Sequence, residues 1–191
     1  MIRIAAIVLF ASILQGEPHN YTIDASHASA QFSVRHLMVS NVKGTFGKFT
    51  GKAVWDPADL SAAKLEGSVD VASVDTNQPK RDAHLRSADF FDAAKYPVMT
   101  FQSTKFQKTA NGLKMTGNLT IRGVTKEVTF DVEGPTEEIK DARGTYRRGA
   151  SATATINRKD FGLNYNAMLE TGGVVVGDDV KILLEVEMVR N

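Results

Sequence analysis

The sequence predicts an all-β protein, an antiparallel sheet of about eight strands interrupted once by a short helical stretch. Period-two alternation of apolar and polar residues recurs along most of the chain, as strands buried on one face require. One stretch departs from it: HLRSADFFDAAKYPVMTF, from His84 to Phe101, carries helix-compatible alanines and two adjacent phenylalanines in place of the alternation. The 191 residues, 42% of them hydrophobic, suffice for one domain with a sizeable core.

The chain opens on MIRIAAIVLFASILQGEP, with Arg3 ahead of an apolar run from Ile4 to Leu14. That run is shorter than the ~20 residues a bilayer span needs, and its charge pattern suits a secretory signal. Leu14-Gln15-Gly16 departs from the small-x-small cleavage pattern; a cut after Gly16, ahead of Pro18, divides the chain into a signal peptide, residues 1–16, and one domain, residues 17–191.

The first strand of the domain starts near Tyr21, and alternation then places Ala28, Ala30, Phe32 and Val34 on one face. KGTFGKFTGKAVW, punctuated by glycines, supplies the next strand, and Leu65, Gly67, Val69 and Val71 the one after. The helical stretch follows. Asn77 is placed to cap a first turn containing Pro79, and Ser87 to cap a second starting at Ala88-Asp89, where acidic residues suit a helix N-terminus. Pro97 ends it and releases the chain into VMTFQSTKF.

Four more strands complete the set: Leu113 to Ile121, Val128 to Val132, Ala150 to Ile156 and Val180 to Met188, with turn signals at Asn111-Gly112 and Gly134-Pro135. A closed barrel and a two-sheet sandwich both satisfy this pattern. Many inward positions are small, among them Ala28, Ala30, Gly67, Gly117, Ala150, Ala152 and Ala154. In a barrel of about eight strands such residues either leave room for one small ligand or are filled by large side chains from facing strands.

Composition excludes several function classes. A net charge of +1 without a basic block lacks the electrostatic footprint of a nucleic-acid binder. With no cysteine, disulfides, zinc–thiolate sites and thiolate catalysis are all excluded, and an exported chain must be held together by its core alone. His19, His27, His36 and His84 are scattered, and a metal site built from them is not favoured over histidines bonded at strand ends. No serine lies in a G-x-S-x-G context, and Gly172-Gly173 is followed by valines where a phosphate loop would open a helix. No catalytic, cofactor or metal residue is assigned.

Five segments, SHASAQFSVRHLMVSNVKGTFGKFTG, DTNQPKRDAHLRSADFFDAAKYPVMTFQS, GNLTIRGVTKEVTF, INRKDFGLN and VGDDVKILLEVE, taken in this order, resemble the YceI-like family of bacterial envelope proteins from about Tyr21 onward. The resemblance implies an eight-stranded antiparallel lipocalin-like β-barrel in which the short helical segment covers the mouth. It further implies an apolar tunnel that binds a polyisoprenoid, an isoprenoid quinone or a fatty-acid-like lipid for transport or storage. Export to the periplasm and a homodimer are also expected, with transient contact with a membrane and no catalytic activity established. An enzyme modifying an isoprenoid lipid and a ligandless interaction barrel are the alternatives.

On this reading the lipid head group meets Arg35 and His36, which end the first strand, Asp75 and Thr76, which end another, and Arg81, Asp82 and His84 in the cover, with Arg158 and Phe161 joining them. The alternative for Arg81 and Arg158 is an ion pair with Asp82 or Asp160 that fastens the cover. The apolar tail meets Phe32, Val34, Phe46, Leu65 and Val69 from one part of the barrel, and Phe90, Phe91, Phe101, Met115 and Leu119 from the rest.

Overall fold

The computed structural model describes residues 17–110, 112–167 and 175–191; the segment read as a leader, Asn111 of the Asn111-Gly112 turn and Gly172-Gly173 lie outside the described residues. The described strands, all in one sheet, are β1 (His19–Ile23), β2 (Ser29–His36), β3 (Ser40–Phe46), β4 (Phe49–Trp55), β5 (Lys64–Asp70), β6 (Val74–Asp75), β7 (Val98–Thr109), β8 (Gly112–Ile121), β9 (Val124–Glu133), β10 (Ile139–Lys140), β11 (Tyr146–Asn157) and β12 (Val176–Arg190). One helix, α1 (Pro79–Arg86), stands between β6 and β7.

Two pairs of these segments are single bent staves. β1 and β2 lie end to end along β12, with Ile23 opposite Met188 and Ser29 opposite Glu185. A turn of 3-10 helix, Ala25–His27, separates them, and the Asp24 carboxylate caps it by accepting from the Ser26 amide at 3.1 Å. In the same way β3 pairs with β2 and β4 with β1. Their junction is pinned where the Gly47 amide donates to the Ser73 carbonyl at 3.2 Å and the Lys48 amide to the Ser73 hydroxyl at 3.1 Å. KGTFGKFTGKAVW is therefore one stave with a bend at Gly47-Lys48.

With those unions the sheet is an eight-stave meander: β1/β2, β3/β4, β5, β7, β8, β9, β11 and β12, each antiparallel to the next. The last stave pairs back onto the first. The ring is closed. This decides between barrel and sandwich, and it removes the unpaired edges an open sheet would expose. The β8–β9 hairpin turns on Arg122 and Gly123, both left-handed at φ 51° and 75°, as a two-residue turn requires. Val71, counted with β5 by alternation, instead starts a 3-10 turn, Val71–Ser73.

The helical stretch forms one helix and not two. Gln78, not Asn77, caps α1, its side-chain oxygen accepting from the Lys80 and Arg81 amides at 2.6 and 3.1 Å. Asn77 takes the left-handed corner before it, at φ 58°. Ser87 closes α1, its amide and hydroxyl both donating to the His84 carbonyl, and it also caps the turns that follow: its hydroxyl accepts from the Asp89 amide at 3.4 Å and its carbonyl from the Phe90 and Asp92 amides at 3.1 and 2.8 Å. The chain from Ala88 continues as hydrogen-bonded turns, with Asp92 left-handed at φ 52°. Arg86 ties α1 to the barrel by donating to the Ala72 and Val74 carbonyls at 2.9 and 3.1 Å.

Candidate functional site

Alternation puts every second side chain of each stave inside the ring, so the interior is apolar by construction. Large rings fill part of it. A methyl group on Gly117 would lie 2.5 Å from the Phe101 ring, and one on Gly44 2.4 Å from Phe32, so both vacated positions are occupied. Gly67 and Ala30 differ, because open volume remains beside them.

That volume is a cavity of about 380 Å³ under the cover, within the ~300–1,000 Å³ typical of small-molecule sites. A second cavity of about 130 Å³ follows it deeper into the barrel. The two share Ala30, Gly67, Val69, Phe101, Phe130 and Leu184 as walls, so only side chains separate them.

Most of the residues assigned to a ligand face one of these spaces. Phe32, Val34, Phe46, Val69, Phe90, Phe91, Phe101 and Leu119 line the larger cavity. Leu65 and Met115 line the smaller. Arg35, His36, Arg81, His84 and Arg158 line the larger cavity at its covered end. Four do not. Asp75 accepts from the Asn77 amide at 2.7 Å and shapes the corner before α1. Asp82, buried, accepts from the amide and hydroxyl of buried Thr76, which locks the helix onto the barrel. Phe161 is buried in the core on a 3-10 turn, Arg158–Phe161. Arg35 and His36 end β2, the second segment of the bent first stave.

Neither of the ion pairs weighed as the alternative for Arg81 and Arg158 forms. Arg81 donates to the Thr76 hydroxyl and carbonyl, both at 2.7 Å, and reaches Asp82 only through that hydroxyl. Arg158 is buried and spends its donors on the carbonyls of Gly177, Leu163, Tyr165 and Val176. Its carboxylate partner is Asp178, at 3.4 Å, and not Asp160. Burial holds the Arg158 guanidinium below its ordinary pKa, and Asp178 opposes that.

His84 bonds Asp89 at 2.9 Å and stands edge-on to both Phe90 and Tyr165, with ring centres 5.0 and 4.8 Å away. A histidine oriented by a carboxylate is half of a nucleophile-activating pair, yet among the described residues no serine or threonine hydroxyl is bonded to its ring, and that of Ser87 goes to its backbone carbonyl. The cavity wall holds three arginines, two histidines and a tyrosine but, among the described residues, no carboxylate. It offers donors to a ligand oxygen.

Tyr165, Leu85, Ile156, Ile182 and Leu184 also line the cavities. The last three lie on the inward faces that alternation identifies; Tyr165 sits in a loop without periodicity, where only the folded chain brings it to His84. Outside the barrel, Asp24, His27 and Glu187 bring ligand atoms within 4.8 Å of one another. The Arg147 guanidinium already bonds both carboxylates and supplies the cation there.

A closed antiparallel barrel of eight staves around an apolar cavity, with a helix across one end, defines a lipocalin-like β-barrel. The chain belongs to the family of the YceI-like domain, whose family model matches residues 21–188. A UPF0312 protein of Staphylococcus aureus (strain N315) is 41% identical over 162 residues, 85% of this chain and 92% of that one. A YCEI protein of Campylobacter jejuni, 37% identical, superposes with a TM-score of 0.65 over 80% of this chain and 87% of its own. A polyisoprenoid binding domain from Saccharophagus degradans shares the fold at 16% identity, with a TM-score of 0.63 over 90% and 98% of the two chains.

Proposed function

We propose that the protein binds a polyisoprenoid or a similar long apolar lipid inside the barrel and carries or stores it in the periplasm, after export through residues 1–16. One observation carries this reading: the apolar cavity of about 380 Å³, extended by the second of about 130 Å³, with hydrogen-bond donors gathered at its covered end. An apolar tail gains by leaving water, at ~25 cal/mol per Å², while a head-group oxygen takes the donors of Arg81, Arg35 or His84. The family, and the fold shared with a polyisoprenoid binding domain, support a binder over a catalyst.

The test is an organic extract of the protein purified from the envelope, examined by mass spectrometry. One prenyl or similar lipid per chain is expected, and the intact mass should show a terminus close to Glu17. Folded protein that yields no lipid and takes up no added prenyl lipid overturns the binding reading, and a soluble chain retaining Met1 overturns export.

A further inference from the structure

Four of the six exposed large hydrophobic residues among the described residues sit at one end of the barrel. Tyr165 lines the cavity. Leu37, Met38 and Val39 form the tip of the β2–β3 hairpin, exposed to 39, 53 and 75%. The tip borders the site directly: Arg35 and His36 before it line the cavity, and the Leu37 amide donates at 2.8 Å to the carbonyl of Val175, another lining residue.

The tip is held and not merely loose. Leu37 and Met38 both adopt left-handed backbone, φ 50° and 60°, which large apolar side chains rarely take. The Arg35 guanidinium donates to the Met38 carbonyl at 2.8 Å and the Val39 amide to the His36 carbonyl at 3.1 Å, fixing the turn. A barrel that only had to stay dissolved would place polar residues there. Three consecutive apolar side chains facing water beside a cavity mouth mark a docking surface.

We propose that Leu37, Met38 and Val39 insert into the interface of an anionic lipid bilayer, placing the cavity mouth against the membrane so that an apolar ligand passes without crossing water. The charge around the tip selects a bilayer. Between Asp24 and Asp56 the chain has no carboxylate, and the hairpin carries Arg35, His36 and Lys43, which suit anionic head groups. On facing β12, Asp178 pairs with Lys159 at 2.8 Å, and exposed Asp179 stands two residues from exposed Lys181; this end of the strand therefore adds no net negative charge against the hairpin. A symmetric contact with a second copy would instead set Arg35 and Lys43 against themselves.

The inference rests on reading the cavity as a lipid site, and two measurements keep the two apart. The chain from Glu17 onward contains every stave of the closed barrel and lacks the apolar run Ile4 to Leu14, which would bind membranes by itself. It is floated with vesicles of phosphatidylcholine and phosphatidylglycerol in equal parts, beside Leu37→Asn/Met38→Asn/Val39→Thr. Asparagine tolerates left-handed backbone, so the variant keeps the turn and loses only its apolar surface.

Vesicle-bound protein should fall about tenfold in the variant, while uptake of a fluorescent prenyl lipid from detergent solution is retained. Equal flotation overturns the docking proposal and leaves lipid binding standing. Docking by the parent with no prenyl uptake by either protein overturns the cavity reading and leaves docking standing. A second probe, Met38→Trp, should shift its emission to the blue on adding vesicles. A blue shift that instead follows protein concentration without vesicles means that a second copy covers the tip, and it overturns the proposal.

Discussion

Gly67 and Gly117 both leave a missing side chain on the inward face of a stave, yet their surroundings are opposite. At Gly117 an added methyl group meets the Gln102 carbonyl at 2.4 Å and the Phe101 ring at 2.5 Å; at Gly67 the nearest atom is the Thr50 carbonyl at 3.4 Å, an ordinary contact. Small inward residues are legible in the sequence, but whether their space stays open is not, because that depends on which way rings such as Phe101 and Phe32 swing from neighbouring staves. Gly117→Val should destabilise by about 2–3 kcal/mol through overpacking. Gly67→Val should be neutral or stabilising by up to about 1 kcal/mol, since glycine is a weak strand residue, and should reduce prenyl-lipid uptake. Denaturant titration of both variants checks this; equal losses would mean that the wall at Gly67 is already packed.

The staves were readable as elements because a half-buried strand must alternate. The cover was readable only in outline. A helix starting at Pro79 follows from local chemistry, but that there is one helix where two were expected, and that Gln78 and not Asn77 caps it, depends on which residue takes the left-handed corner and on how the chain after Ser87 folds back, which are tertiary matters. The rings of the cover roof the cavity: Phe91 stands edge-on to Phe46 at 5.8 Å, and Phe90 packs on Tyr165 at 4.9 Å. Phe90→Ala/Phe91→Ala should therefore speed release of a bound fluorescent prenyl lipid about tenfold or more, through area no longer withdrawn from water. Each ring is only partly buried, so the stability cost should stay below the ~3–5 kcal/mol of a fully buried phenylalanine. The sheet should keep its circular dichroism, because Arg86 and the Thr76–Asp82 bonds still hold the helix down. Unchanged release with an intact sheet would reduce the segment to a connection.

At the scale of the molecule, closure is the feature alternation could not decide, because the pairing of β12 with the first stave joins residues some 150 positions apart. The closing seam is fastened at the end far from the cover. There Arg147 bonds Asp141 at 2.8 Å, Asp24 at 3.1 Å and Glu187, tying β11 to β12 and to the bend of the first stave. Arg190 bonds Glu138 at 3.0 Å, and Glu138 accepts from the Tyr21 hydroxyl at 2.8 Å. These contacts make the far end acid-sensitive. The Asp24 carboxyl is held well below the usual range, chiefly by the Ser26 hydroxyl and then by His27 and Arg147; Asp141 is held down chiefly by Arg147. A carboxyl depressed in the folded state contributes stability above its unfolded pKa of about 3.9, and that contribution is lost as pH falls below it toward the folded value. Tyr21 takes no part, since burial raises its phenol and it stays protonated throughout. Arg147→Met should consequently lower the melting temperature at pH 7, and the gap to the parent should narrow steadily below about pH 4 as the parent loses what the variant never had. Thermal melts of both proteins from pH 7 to pH 3 decide it: curves that run parallel across the acid range would mean that Arg147 holds the seam by packing alone.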